Sequence, residues 1–190
     1  VFKNYFAFTK SPALNFIIGL VISIGLLVGL GPLVISYGKE LPFSILSFVV
    51  LFNAIWWGWQ IGFLSTLAYI FIGVAGLSIF PNHESGLKHL FTITNCGYYF
   101  GFLAAALLAG YFAEIPRKKK MLNTLAVWFL GHALILLLGG LYIYRINPER
   151  AWAFIQLDFP AYAMKATAGL IITVAFLRFV EGRENFYKAS

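Results

Sequence analysis

The sequence predicts an all-α integral membrane protein of six transmembrane helices with both termini cytoplasmic. Three observations carry this expectation. The 190 residues are 61% hydrophobic and 11% charged, whereas an ordinary soluble domain is about 45–50% apolar and roughly 25% charged. The mean hydropathy is +0.83. Six mostly apolar runs read as helices crossing a hydrocarbon layer, for which about 20 residues are needed. A disordered chain is excluded, and the charges are too few for the surface of a water-soluble globule.

The first run covers residues 13–36. It reads as a retained span rather than a cleaved signal peptide, because it is too long and further spans follow. The second covers 42–57, after Pro42, and the third 62–80. Only Trp57-Gly58-Trp59-Gln60-Ile61-Gly62 separates them, a link short enough to force an antiparallel helical hairpin. The fourth, fifth and sixth cover 91–112, 121–144 and 160–180. Glycine and proline inside these runs do not argue against helix, since membrane helices tolerate both. No internal repeat, low-complexity tract or linker divides the chain, so residues 1–190 read as one domain.

Six spans place Lys3, Lys10, Arg117, Lys118, Lys119, Lys120, Arg178, Arg183 and Lys188 on one side, nine cations in all. Lys39, Lys88, Arg145 and Arg150 face the other side, and Lys165 falls inside the sixth span. The excess marks the cytoplasmic side. Orientation in a lipid bilayer therefore accounts for the net charge of +7, and no nucleic-acid partner is expected. The longest non-apolar stretches, Pro81–His89 and Arg145–Asp158, fall on the outer side as loops, where function is expected.

Several chemistries lack their residues. No glycine-rich phosphate loop is present, so the chain should not hydrolyse ATP. Cys96 is the lone cysteine, which excludes an internal disulfide or multi-thiolate metal site. His83 and His89 flank Glu84 and read as solvated loop residues rather than metal ligands. No enzyme activity, catalytic residue, cofactor or metal is expected. His132, mid-span, is either functional or a neutral histidine satisfied by a neighbouring helix. Asn53 should hydrogen-bond between helices. Trp56, Trp57 and Trp59 read as an aromatic belt. Gly19-x-x-x-Ser23 and Gly25-x-x-x-Gly29 place small residues four apart, which lets another backbone approach closely. That surface serves either a docking partner or packing within the bundle.

Several words in the chain resemble one family. Leu41-Pro42-Phe43-Ser44-Ile45-Leu46-Ser47 is similar to the Val-Pro-Phe-Thr-Leu-Gln-Thr that opens the second helix of BioY proteins. Trp57-Gly58-Trp59-Gln60-Ile61-Gly62 resembles their Leu-Gly-Pro-Arg-x-Gly turn. Tyr69-Ile70-Phe71-Ile72-Gly73-Val74-Ala75-Gly76-Leu77-Ser78-Ile79-Phe80 resembles Tyr-Leu-Leu-Leu-Gly-x-x-Gly-Leu-Pro-Val-Phe, and Gly97-Tyr98-Tyr99-Phe100-Gly101-Phe102 resembles Gly-Tyr-Leu-x-Gly-Phe. The resemblance runs through nearly the whole chain. It departs at Pro160-Ala161-Tyr162-Ala163-Met164-Lys165, where the family has Pro-Gly-Asp-x-x-Lys: the lysine is kept and the aspartate is replaced by Tyr162.

BioY proteins are the biotin-binding membrane subunits (S-components) of energy-coupling factor (ECF) transporters. The resemblance implies an S-component bundle in a bacterial inner membrane. It implies biotin or a similar small vitamin as ligand, and a coupling protein and two ATPases as partners. Such a ligand needs apolar walls, a few polar partners and a cation for its carboxylate. Lys165 fits the cation, or else snorkels to the interface. Lys88 is a second candidate, or a solvated loop lysine. Thr94 and Asn95 either meet the ureido group or form a plain N-cap. Tyr98 and Tyr162 either stack on the ligand or belong to an interfacial belt. Gly19, Ser23, Gly25 and Gly29 loosely match the small residues by which S-components dock on the coupling protein. The alternative is a repurposed scaffold acting as an accessory subunit, whose partners are other subunits of a larger membrane complex.

Overall fold

The computed structural model describes residues 9–37, 41–92, 95–115 and 120–189. In chain order they form α1 (Pro12–Leu30), the strands β1 (Val34–Tyr37) and β2 (Leu41–Ser44), α2 (Leu46–Trp57), α3 (Trp59–Val74), a 3-10 turn (Pro81–His83), α4 (Gly86–Leu90), α5 (Cys96–Glu114), α6 (Lys120–Ile146) and α7 (Pro148–Ala189). Among the described residues, Pro12–Leu30, Cys96–Glu114 and Asn123–Ile146 are long and apolar enough to cross a membrane by themselves, and Leu46–Trp57, Trp59–Val74 and Phe159–Ala175 are shorter apolar helices.

The six expected runs map onto six of the helices, with corrected ends. The first does not continue to residue 36. Pro32 cannot donate to the preceding turn and crowds its carbonyl, so α1 closes on Gly31, whose N–H bonds Leu27 O at 2.8 Å. The β-branched Val34 and Ile35 then pair antiparallel with Ser44 and Phe43. Pro42, taken as the start of the second helix, lies in β2 opposite Ser36, a place open to it because the hairpin has only edge strands. The third run ends at Val74 instead of 80, where Gly76 turns the chain at φ 110°. The fourth begins at Cys96 instead of 91, after the separate turn of α4. The stretch 145–158, expected as a loop, is mostly helical. Pro148, followed by Glu149, opens α7, and the helix runs on through Pro160. Proline at the first helical position and an acid in the first turn favour that start.

α2 is the centre of the bundle, with ten of its twelve residues buried from Leu46 to Trp57. It packs on α1, α3, α5, α6 and α7. α1 buries only Gly19, Ser23 and Leu27, one stripe at four-residue spacing, and lies outside against α2 and α3. Two of the three expected belt tryptophans are enclosed instead, Trp56 at 7% exposed and Trp57 at 8%, and Trp59 is half-buried. Trp56 stacks on Phe52 at 4.7 Å, and a Cβ at Gly19 would stand 3.0 Å from Trp57. Asn53 bonds between helices as expected, Nδ2 donating to Ser23 O at 3.1 Å. α2 and α3 meet at Gly58, whose φ of 92° lies in the region glycine favours.

Candidate functional site

Two groups of polar and aromatic residues lie inside the bundle. The first joins the start of α2 to α6 and α7. Ser44 ends β2, and its Oγ accepts from Leu46 N at 3.2 Å, satisfying a backbone donor where α2 begins. Lys165 on α7 donates from Nζ to Ser44 O at 2.9 Å and to Ser47 Oγ at 2.8 Å. The lysine is 7% exposed. Tyr162, one turn earlier on the same face, places its ring 4.4 Å from the ammonium, a cation–π contact made stronger by desolvation.

Tyr162 also meets α6. His132 lies 5.5 Å from the Tyr162 ring and stacks on Trp128 at 6.0 Å. Trp128 stacks in turn on Phe48 of α2 at 5.2 Å. Its indole N–H donates to Thr173 Oγ1 at 3.1 Å, and that hydroxyl donates to Gly169 O at 2.7 Å. A Cβ at Gly169 would stand 2.5 Å from the indole, so this glycine is what lets α7 approach. His132 and Tyr162 also stand on the wall of an open groove of about 680 Å³ between α6 and α7, whose other walls include the exposed Leu130, Leu137, Trp152 and Phe159.

The second group joins α3, α4 and α5. Phe80 stacks on His89 at 5.0 Å, and both meet Tyr99. Tyr69 donates to Ile79 O at 2.7 Å and fixes the chain ahead of the 3-10 turn. Within that turn Asn82 and His83 adopt φ of 62° and 59°, which is uncommon for residues other than glycine. Asn82 N reaches Pro32 O at 3.2 Å and ties the segment to the end of α1. Asn95 makes no side-chain cap on α5; its Nδ2 donates to His89 O at 3.1 Å and lies 3.1 Å from His89 Nε2. An amide N–H can bond that nitrogen only when it is unprotonated. Burial holds the His89 pKa below its ordinary 6.5, against the opposing pull of Glu84. The folded chain therefore favours neutral His89. Stability present above pH 6.5 should be lost as pH falls through the lower folded value. Melting temperature followed downward from pH 7 should drop for the wild type, and the drop should shrink in His89→Gln.

The expected site residues thus divide. Lys165 and Tyr162 adjoin each other in the first group, and Asn95 belongs to the second. Thr94 lies outside the described residues. Tyr98 turns from both groups and packs on Gly139 of α6, whereas its neighbour Tyr99 points inward. Lys88 is exposed on α4. The small-residue stripe also splits. Gly19 and Ser23 are buried in the bundle, while a Cβ at Gly25 or Gly29 would meet nothing within 4 Å. Ser44 and Ser47 were not anticipated. The available signal was a pair of hydroxyls three apart inside an apolar run.

The family model for BioY matches residues 9–182. The chain belongs to the BioY family. A relative from Rickettsia prowazekii (strain Madrid E), described as "Probable biotin transporter BioY", is 31% identical over 109 residues, covering 55% of this chain and 53% of that protein. One from Pyrococcus horikoshii with the same description is 28% identical over 134 residues, 68% of this chain and 77% of that protein. The match thus spans about half the length of the Rickettsia relative. Among solved structures, the S-component for biotin from an ECF-type ABC transporter superposes with a TM-score of 0.75 at 16% identity, covering 90% of this chain and 95% of that one. This likeness establishes the S-component fold for the BioY-family chain. BioY membership and its apolar helices make the chain a multi-pass membrane protein.

Proposed function

We propose that this chain captures biotin, or a small vitamin of the same build, as the substrate-binding subunit of an uptake system. The observation that carries this reading is the buried Lys165, held by Ser44 O, Ser47 Oγ and the Tyr162 ring. A cation kept in an apolar bundle at such cost is a functional feature by default. Its chemistry suits the carboxylate of an acid that also carries an apolar ring system. Relatives described as biotin transporters support the choice of vitamin. The chain is read as six-spanning, in a bacterial inner membrane with both termini cytoplasmic, and as non-enzymatic. Capture takes place at the outer face, and a coupling protein with two ATPases drives release inward. Calorimetric titration of the purified, folded chain with biotin should show micromolar or tighter binding. No binding would sink the reading and favour the accessory-subunit alternative, to which the bulk of Tyr162 over the lysine already lends some support.

The open half of α1 is the proposed docking surface for the coupling protein. Gly25 and Gly29 lie there among exposed Val21 and Ile22, so a second helix can approach closely. Gly25→Leu with Gly29→Leu should leave biotin affinity of the isolated chain unchanged and abolish uptake when the partner subunits are co-expressed. Unimpaired uptake would place docking elsewhere.

A further inference from the structure

We infer that His132 is the hydrogen-bond acceptor that reads a ring N–H of the bound vitamin. The inference rests on the biotin-capture reading above. It begins with the tautomer. His132 Nδ1 lies 2.9 Å from Trp128 O, one turn back on α6. A carbonyl oxygen only accepts, so Nδ1 carries the hydrogen, and in the neutral imidazole Nε2 then presents a lone pair. The residue is 2% exposed, and Nε2 is a buried atom with no hydrogen-bond partner among the described residues. Native interiors rarely leave such an acceptor unmade, and those that do call for an explanation.

The surroundings specify the missing donor. His132 is flanked by Trp128, nearly parallel at 19°, and by Tyr162 across the helix interface. Tyr162 in turn covers the Lys165 ammonium. Acceptor and aromatic ring therefore adjoin at the groove between α6 and α7 that His132 and Tyr162 line, while the ammonium against Tyr162 reaches Ser44 and Ser47 at the start of α2. A bicyclic urea offers the matching chemistry, N–H donors on a ring that is otherwise largely apolar. Other orphaned buried atoms do not share this arrangement. Asn53 Oδ1 and Ser23 Oγ belong to the α1–α2 contact, and Tyr99 OH belongs to the second group.

The test uses the full chain in detergent, titrated with biotin and with its two derivatives methylated on one or the other ureido nitrogen. Wild type should bind one derivative about ten- to a hundredfold more weakly than biotin. His132→Phe should lose a similar factor for biotin and no longer distinguish that derivative. His132→Gln, which offers an amide oxygen near the position of Nε2, should recover most of the affinity. The inference is overturned if wild type binds both derivatives as tightly as biotin, or if folded His132→Phe binds biotin as wild type does. Should the phenylalanine variant not fold, His132→Leu carries the same test: loss of the discrimination supports the acceptor role, and discrimination equal to wild type refutes it. Failure of folded wild type to bind biotin at all removes the parent reading and this inference with it. Biotin binding without N-methyl discrimination removes this inference alone.

Discussion

Lys165→Met should lower biotin affinity by roughly a hundredfold, the scale of one or two charge-assisted hydrogen bonds lost from a buried site. Methionine keeps the length and apolar volume of the stem while deleting the ammonium that Ser44 O and Ser47 Oγ now hold. The comparison that separates charge from packing is the uncharged amide of biotin. Wild type should prefer the acid strongly, and Lys165→Met should bind acid and amide alike. Lys165→Arg should recover only part of the preference, because a planar guanidinium cannot occupy the position of a compact ammonium beneath the Tyr162 ring. Equal affinity of wild type for acid and amide would show that the lysine serves the fold alone.

Gly62→Leu should be the most destabilising single substitution outside the site. A Cβ there would stand 2.5 Å from Ala54 Cα and 2.7 Å from Ala54 Cβ. The obstacle is the α2 backbone, which cannot rotate aside as a side chain does. Relief requires opening the α2–α3 hairpin, whose helices are joined by Gly58 alone. Overpacking typically costs about 1–3 kcal/mol even when side chains can adjust, so a loss above ~3 kcal/mol is expected. Thermal unfolding in detergent should show a large fall in midpoint or no folded protein. Gly25→Leu is the matched control, because its Cβ would enter open space; its midpoint should stay near wild type.

Much of the fold is legible from residues 1 to 190 because lipid imposes strong local rules. A helix must satisfy its own backbone groups, so long apolar runs can be read one at a time. The expected 121–144 run and α6 (Lys120–Ile146) agree almost to the residue. Three of the misjudged ends, those of the first, second and sixth runs, lie at prolines. Pro32, Pro42, Pro148 and Pro160 each permit more than one local structure, and neighbours elsewhere choose among them. Pro42 became a strand residue because β1 was available to pair. Trp56 and Trp57 follow the same logic: amphipathic rings suit an interface, yet these two are enclosed by Phe52 and α1.

Composition and the order of motifs by themselves determined that this is a helical membrane protein of BioY type, with a lysine kept late in the chain. Both depend on properties that accumulate over neighbouring residues. Only the tertiary structure decided where that lysine's amine goes. Ser44 is 121 residues away from it in the chain. It likewise decided that Tyr99 rather than Tyr98 faces inward, that Gly25 and Gly29 stay open while Gly19 and Ser23 are covered, and that His132 Nε2 meets no donor among the described residues. Each of these outcomes turns on which helix face meets which neighbour, and such a meeting is set by the packing of the whole bundle rather than by any local run.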